Sequence, residues 1–270
     1  MAALTASMTE EGKRLFYGAR PEVLDKAPFA LVCPGGSEHG HVLGCYTGDR
    51  IYILRVPRTE LTGVMETTAV HEMLHAAYAA LSSRERSLVD TWVGDVYAGV
   101  KDRDLRELVA AYDRSEPGQR LNELHSILPT QLPSLSAPLE NHYRRYLASR
   151  QRVVALYQGY RGTLAELDRR ISALHEEIDD AKAQINVMEA RLRNEEAALE
   201  ELNRRLEALR AEGNVKEFNR LIPQQNAKVD ALSSLADRYR QLVKAHNAKV
   251  QEVNDLALQQ NQLVESLRGG

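Results

Sequence analysis

The chain has 270 residues and a mass of 30.3 kDa, with 43% hydrophobic and 27% charged residues, a balance typical of a folding polypeptide rather than a disordered one. Its formal net charge of −3 disfavours a generally basic nucleic-acid-binding surface, and its apolar stretches are far shorter than the roughly 18 to 20 residues that cross a bilayer. The amino end also lacks the cationic and apolar segments of a secretory signal. We therefore expect no nucleic-acid partner and no transmembrane segment. The location is cytoplasmic as written, or extracytoplasmic if the sequence is a fragment of a membrane-anchored protein.

The first part of the chain predicts short strands mixed with helices. Thr9 is a suitable cap for a helix that begins at Glu10, and Pro21 closes that helix. Segments rich in β-branched and aromatic residues predict a small antiparallel sheet with strands at 29–33, 42–46 and 51–56. The sequence from Thr47 to Arg50 is typical of a hairpin turn between the last two strands.

Helical patterns follow the predicted sheet. They cover residues 59–81, 83–100 with Ser82 or Ser83 as cap, 102–112 and 119–128. A loop marked by Pro129, Pro133 and Pro138 comes next. From Leu139 we expect a helix that runs directly into the carboxyl-terminal part of the chain.

From residue 163 onward the composition shifts to Ala, Leu, Glu, Arg, Gln and Asn. Apolar residues recur at alternating steps of three and four from Leu164 to Leu209, with only Glu195 breaking the series, and a second series runs from Val229 to Leu267. Between them, Gly213 and its neighbour tolerate the left-handed conformation that ends a helix.

Equal arms on both sides of that glycine favour an antiparallel coiled-coil hairpin with its turn near 211–215 over a parallel dimeric coiled coil. The fold class predicted for the chain is therefore α+β. It comprises a domain at 1–150 with a small sheet and a long helical hairpin at 151–270.

A compact motif for metal chemistry lies inside the predicted helix 59–81. His71, Glu72 and His75 form an H-E-x-x-H sequence, in which the two histidines share one helical face and can reach a single Zn²⁺. Glu72 would then act as the catalytic general base on a water. The apolar residues around the motif make two unpaired histidines costly to bury without a ligand. The alternative is that backbone partners satisfy them.

A zinc hydrolase needs a third protein ligand, and a second motif offers one. Asn122, Glu123 and Ser126 stand as in the N-E-x-x-S-D segment of the gluzincins, the thermolysin-like zinc metallopeptidases, which this part of the chain resembles. The resemblance implies one Zn²⁺ per chain held by His71, His75 and Glu123.

The chain departs from that pattern at Ile127, where those enzymes carry an aspartate that orients a ligand histidine. The orienting partner must then come from elsewhere, with Asp95, Asp113 and Glu66 as candidates. His125 is the rival third ligand, because on a helix it points away from Glu123 and only one of the two can face the metal.

A wider resemblance covers residues 10 to 150. The run HEMLHAAY, with GCYTGDRIYI upstream and NELHS downstream, is similar to a family of uncharacterised bacterial proteins, often membrane-anchored. In that family a metallopeptidase-like domain is joined to a coiled coil. The resemblance implies zinc and a peptidase-like fold without naming a substrate.

Further site residues are expected around these motifs. His142, Tyr143 and Tyr146 are candidate hydrogen-bond donors to the transition state, although buried core tyrosines are the alternative. By analogy with zinc peptidases, segment 42–46 or 51–56 is expected to bind substrate by strand addition.

Two cysteines leave three readings open. Cys33 and Cys45, on neighbouring predicted strands, favour a disulfide in an oxidising compartment. Free thiols are the second reading. A metal site that also uses His39 and His41 is the third, although its spacing matches no common zinc pattern.

The sequence supports two functions. One is a zinc-dependent peptidase acting on a peptide or protein substrate with a metal-activated water. The other is a metal-stabilised or inactive head on a coiled-coil interaction or scaffold module that binds a protein partner.

Overall fold

The computed structural model describes residues 1–34 and 42–268. It is mostly helical with one small sheet, so the predicted α+β class is confirmed. The helices are α1 Glu10–Gly18, α2 Lys26–Val32, α3 Val64–Ala79, α4 Ser83–Ala98, α5 Arg103–Ser115, α6 Arg120–Gln131, α7 Ala137–Tyr143, α8 Arg150–Ala211 and α9 Val215–Ser266. The strands are β1 Glu22–Leu24, β2 Gly44–Thr47 and β3 Arg50–Leu54. Two compact units are present: Met1–Glu166 together with Gln260–Gly270, and Leu167–Gln259.

The sheet is mixed, so the predicted antiparallel sheet is wrong in one strand. Its order is β1-β3-β2, with β1 parallel and β2 antiparallel to β3. Residues 29–32 lie in α2 instead of a strand, with Pro28 in the first helical turn, where a missing N–H costs nothing. The β2–β3 hairpin was predicted correctly: Gly48 and Asp49 both have positive φ, at 56° and 59°, as a two-residue hairpin turn requires.

Helix α3 lies at the centre of the hydrophobic core. It contacts α1, α6, β2 and β3, and Val70, Met73 and Leu74 are fully buried. The helix begins at Val64, later than predicted, because Gly63 takes a left-handed conformation with φ 95° and residues 59–61 form a separate 3₁₀ turn. Such a helix has neighbours on every side, which places the H-E-x-x-H motif in a desolvated environment.

Helix α6 continues through Pro129, where a loop was expected. A proline inside a helix leaves the carbonyl four residues earlier without its donor, and that carbonyl belongs to His125. The Tyr143 hydroxyl donates to the His125 carbonyl oxygen at 2.9 Å and replaces the missing bond. A side chain from α7 therefore lets α6 extend to Gln131.

The expected continuous helix from Leu139 is also wrong, because α7 ends at Tyr143 and α8 begins at Arg150. The intervening backbone pairs with the amino-terminal segment instead: the Thr9 N–H donates to the Tyr146 carbonyl, and the Ala148 N–H donates to the Ser7 carbonyl. These non-local bonds compete with helix formation. Nothing in the local pattern of residues 139–150 indicates them.

In the second unit, α8 and α9 pack against each other. Ion pairs join them: Arg170 with Glu252 at 2.8 Å, Glu177 with Lys249 at 3.0 Å and Glu195 with Lys228 at 3.1 Å. Glu195, which breaks the apolar series of α8, thus has a cationic partner on α9. The break between the helices carries Gly213 with φ 71°. Every helix in the described part of the chain is too short or too polar to cross a bilayer.

We predict that Gly63→Ala destabilises the first unit by roughly 1–3 kcal/mol. An alanine there would take a left-handed backbone conformation, and its Cβ would lie 2.8 Å from Leu156 Cβ. Urea unfolding monitored by circular dichroism measures the loss. The matched control is Gly159→Ala within α8, where a Cβ meets no atom within 4 Å and stability should rise slightly. Equal stability of wild type and Gly63→Ala would contradict the prediction.

Candidate metal centre

Three side chains from two helices converge as the sequence predicts. His71 and His75 lie one turn apart on α3, with their Nε2 atoms 3.1 Å apart. Glu123, in the first turns of α6, places Oε1 3.5 Å from His75 Nε2 and Oε2 3.8 Å from His71 Nε2. The ligand atoms of all three residues lie within 4.8 Å of one another.

This arrangement fits a divalent metal ion. Metal–ligand bonds of about 2.0–2.1 Å in a tetrahedral site place neighbouring ligand atoms roughly 3.4 Å apart, close to the separations found here. The Glu123 Oε2 atom is buried and has no hydrogen-bond partner, which is costly for a carboxylate unless a cation completes the site. Two imidazoles and one carboxylate form a donor set that zinc prefers.

The orienting partner of the ligand histidine is Asn122, which the sequence did not indicate. His75 Nδ1 lies 3.0 Å from Asn122 Oδ1, so a proton on Nδ1 leaves the Nε2 lone pair directed at the centre. Two of the carboxylates that the sequence offered for this orienting role have other partners. Glu66 accepts from Ser7 and from Arg152, and Asp113 pairs with Arg120. The side-chain amide of Asn122, the residue before Glu123, thus takes the orienting role that was expected of a carboxylate.

The electrostatics of the cluster favour a bound cation. Burial, together with Glu123 and Glu116, holds the pKa of Glu72 well above its usual range. Burial and Glu116 raise the pKa of Glu123 to about 8, and burial lowers the pKa of His75 to about 4. Two desolvated carboxylates beside neutral imidazoles are stabilised by a positive charge between them.

A pocket of about 320 Å³, the site pocket, opens onto this cluster. It is lined by Gly44, His71, Glu72, His75, Tyr112 and Glu123, among others. A Cβ at Gly44 would lie 2.7 Å from Glu72 Oε1, so only glycine lets strand β2 approach Glu72 so closely. Glu72 thus borders both the pocket and the strand.

Strand β2 presents a free backbone edge to the pocket. The Leu54 N–H donates to the Leu43 carbonyl, so by antiparallel alternation Cys45 and Thr47 also bond to β3, while Gly44 and Tyr46 direct their N–H and C=O groups outward. Within the described residues, β2 pairs with β3 alone. Among the described residues, segment 42–46 therefore has an unpaired edge, whereas β3 lies between two strands.

Tyr112 is a site residue that the sequence analysis missed. It lies on α5 and lines the site pocket, and the pKa of its hydroxyl is raised by burial and by the nearby carboxylates of Glu123, Glu72 and Glu116. The hydroxyl therefore stays protonated and able to donate. Only its position near the end of an amphipathic helix marks it in the sequence, and that pattern fits any core tyrosine equally well.

The other proposed residues form a separate buried cluster. His125 is fully buried, and its Nε2 lies 2.9 Å from His142 Nε2. Tyr143 is also fully buried and Tyr146 is 2% exposed, with the His142 ring against both. The described residues that line the site pocket include none of these four. Since Glu123 and His125 point about 200° apart on α6, the carboxylate faces the metal ligands and the imidazole faces α7.

Cys33 and Cys45 form a disulfide with their Cα atoms 6.0 Å apart. It connects the end of α2 to the edge strand β2, and both residues line the site pocket. Cys33 follows a helix rather than lying on the predicted strand. His39 and His41, the other members of the proposed second metal site, lie outside the described residues.

Comparisons with protein-family models, with curated proteins and with solved structures find no match to this chain. The resemblance to gluzincins therefore depends on the two motifs alone, and family membership stays a prediction. The chemistry of the site follows from the distances, burial and charges described above.

We predict that His142 makes folding stability sensitive to acid. Burial and Arg145 lower its pKa from the ordinary 6.5 to about 4. The unfolded chain therefore binds more protons between these values, and the stabilisation is complete above pH 6.5 and lost as the pH falls toward 4. Between pH 7 and 4.5 the wild type should lose about 2 kcal/mol more unfolding free energy than His142→Gln.

Urea titrations at each pH measure this difference. The matched control is His175→Gln at an exposed position, which should retain the wild-type pH dependence. Parallel stability curves for wild type and His142→Gln would show that His142 is not the responsible group.

Proposed function

We propose that this chain is a zinc-dependent peptidase of the type that its H-E-x-x-H and N-E-x-x-S motifs resemble. The observation that carries the proposal is the convergence of His71, His75 and Glu123 beside Glu72 in an open pocket. Glu123 lies 48 residues after His75 and on a separate helix, so the convergence is not a consequence of local spacing. A site that only stabilised the fold would need neither the pocket nor a carboxylate beside the ligands.

The residues have distinct roles. His71, His75 and Glu123 would hold Zn²⁺, which when bound supplies a Lewis acid that activates water and polarises a peptide carbonyl. Glu72 takes the proton of the attacking water at its carboxylate and returns it to the nitrogen of the leaving amine.

The free edge of β2 suits an extended peptide. The outward N–H and C=O groups of Gly44 and Tyr46 would pair with the substrate backbone, and the contact of Gly44 with Glu72 sets the bound chain close to the general base. Tyr112, which also lines the pocket, would donate a hydrogen bond to the carbonyl oxygen as negative charge develops on it.

We further propose that α8 and α9 form an antiparallel coiled-coil hairpin in the second unit. The paired ions support it, because residue numbers rise along α8 as those of their partners fall along α9. Of the buried positions of this unit, Leu174, Ala181, Leu192, Leu206 and Val253 fall on the apolar series, whereas Leu221 lies before the second series begins and Leu235 is one residue before its Ala236. Such a module could serve a protein partner, which keeps the interaction or scaffold role as the second candidate function.

The central test combines metal content with hydrolysis. We expect about one zinc per chain by elemental analysis in the wild type and loss of that zinc in His71→Ala. Glu72→Gln should retain zinc and lose at least 10²-fold in the cleavage rate of a mixed peptide library, because it removes the base without removing a ligand.

The matched control is Glu176→Gln, at an exposed position of the second unit, which should cleave like the wild type. Unchanged cleavage by Glu72→Gln would overturn the assignment of the base. A wild type that binds zinc and cuts no peptide would favour the interaction role.

Tyr112→Phe provides a separate prediction. Loss of one transition-state donor should lower kcat by roughly 10- to 10³-fold and leave KM nearly unchanged, since the hydroxyl acts on the developing charge. Zinc content should stay at the wild-type level. Steady-state kinetics on a cleaved peptide measure the effect, with Tyr239→Phe in the second unit as the matched control. An equal rise in KM without a change in kcat would instead assign Tyr112 to substrate binding.

A further inference from the structure

The site pocket carries a carboxylate that the proposed chemistry does not use. Glu116 lines this pocket together with Glu72 and Glu123, yet it lies outside the cluster of three metal ligands. It directly follows α5, and its backbone N–H donates to the Tyr112 carbonyl at 2.8 Å. Glu116 is exposed, whereas Glu72 and Glu123 are buried. It therefore stands at the solvent side of the pocket, one helical turn along the chain from Tyr112.

The Glu116 side chain has no ionic partner within the described part of the chain. Arg120, four residues later, pairs with Asp113 at 3.5 Å instead. The polar side chains that line the pocket beside it bond to each other, since the Asn122 Nδ2 group donates to Gln119 Oε1 at 3.3 Å. The carboxylate of Glu116 is thus available to a group from outside the protein.

The site pocket as a whole is negatively charged. Its described lining includes three glutamates and neither lysine nor arginine. Burial and the nearby His75 hold the pKa of His71 well below its usual range, and burial lowers the pKa of His75 to about 4, so neither imidazole is charged at neutral pH. One Zn²⁺ held there would balance Glu72 and Glu123, which leaves the charge of Glu116 uncompensated. A pocket of this kind attracts a cation and repels an anion.

The charge of Glu116 also acts on the interior of the pocket. Burial is the largest cause of the raised pKa values of Glu72, Glu123 and the Tyr112 hydroxyl, and the carboxylate of Glu116 contributes to all three. A like charge has this effect only at short range, because solvent and salt screen a distant one. A cation bound at Glu116 would therefore lie close enough to the reacting groups to belong to the same substrate molecule.

The geometry of the β2 edge favours a side chain as the source of that cation. Gly44 and Tyr46, the two residues with outward backbone groups, both line the site pocket. A peptide along this edge runs past the pocket, and its side chains alternate in direction. Lysine and arginine carry their charge at the end of a long flexible stem, so the charged group can reach a carboxylate at the rim.

We propose that Glu116 is a specificity-determining residue that pairs with an arginine or lysine side chain of the peptide substrate. The proposal rests on the peptidase function proposed above and names its substrate class as basic peptides. Glu116 takes no part in the metal site or in proton transfer under this proposal.

The test compares arginine with citrulline, its uncharged isostere. Each position around the cleaved bond of an amino-acetylated, carboxyl-amidated peptide is replaced in turn by the two residues. For wild type we expect kcat/KM for arginine to exceed that for citrulline by roughly 3- to 10-fold at one position. Raising the salt concentration from about 0.05 M to about 0.5 M should reduce this ratio toward one, because salt screens an exposed ion pair.

Two substitutions assign the preference to Glu116. Glu116→Gln should abolish the arginine-to-citrulline ratio, and Glu116→Lys should make the enzyme prefer glutamate over glutamine at the same position. The ratio is the readout because Glu116 also acts on Glu72, and that effect changes the cleavage of both peptides equally. The matched control is Glu107→Gln, an exposed position of α5 outside the site pocket, which should retain the wild-type ratio.

A binding measurement separates this proposal from the peptidase function. Calorimetric titration of Glu72→Gln with the arginine and citrulline peptides needs no turnover. We expect roughly 3- to 10-fold tighter binding of the arginine peptide at low salt. This difference should disappear in the double variant Glu72→Gln/Glu116→Gln and persist in Glu72→Gln/Glu107→Gln. Circular dichroism checks that each variant is folded, as expected for exposed positions.

The outcomes are distinct. If wild type cuts nothing but Glu72→Gln binds the arginine peptide selectively through Glu116, the peptidase proposal fails and the assignment of Glu116 stands. Cleavage without an arginine preference at any position, or an unchanged preference in Glu116→Gln, would overturn the assignment. A parallel series with a free amino terminus identifies the source of the cation. If selectivity that depends on Glu116 occurs only in that series, the terminal ammonium is the partner and the side-chain proposal is overturned.

Discussion

The burial of α3 on all sides is the constraint on which the rest of this structure depends. A helix packed against α1, α6 and the sheet exposes little of its polar side chains to water, so His71, Glu72 and His75 must be satisfied largely by each other, by neighbouring elements or by a ligand. Their pKa shifts follow from the same burial. The pocket at one side of the helix is where this unsatisfied polarity meets solvent, and the candidate chemistry is concentrated there.

The approach of strand β2 follows from the same packing. Gly44 lies against Glu72 and Thr68, and any larger residue would separate the strand from the helix. The disulfide between Cys33 and Cys45 ties the same strand to the end of α2. Glu72 and the outer edge of β2 are thus held side by side by one glycine and one covalent bond.

Much of the site could be predicted from the sequence, because helical spacing fixes the relation of His71 to His75 and a short motif marks Glu123. The residues that complete it could not. Asn122 orients His75, and Tyr112 lines the pocket, through contacts between helices that no local pattern encodes. His142 and Tyr146 were expected at the site because they are polar residues close together in the sequence. Their side chains instead pack in the core, on the face of α6 opposite to Glu123.

In the fold, too, the features with local sequence signals were predictable and those that depend on distant contacts were not. Capped helices and the hairpin with Gly48 were predictable because their signals are local, whereas the strand β1 is too short to show alternation and the break between α7 and α8 depends on backbone bonds to the first ten residues. The hydroxyl of Tyr143 shows how such a non-local contact changes the fold. By replacing the donor that Pro129 removes, it lengthens α6 by the half-turn that carries Thr130 and Gln131 to the wall of a second pocket, which Glu72 also lines. The extent of that pocket is thereby governed by a phenol that does not line it.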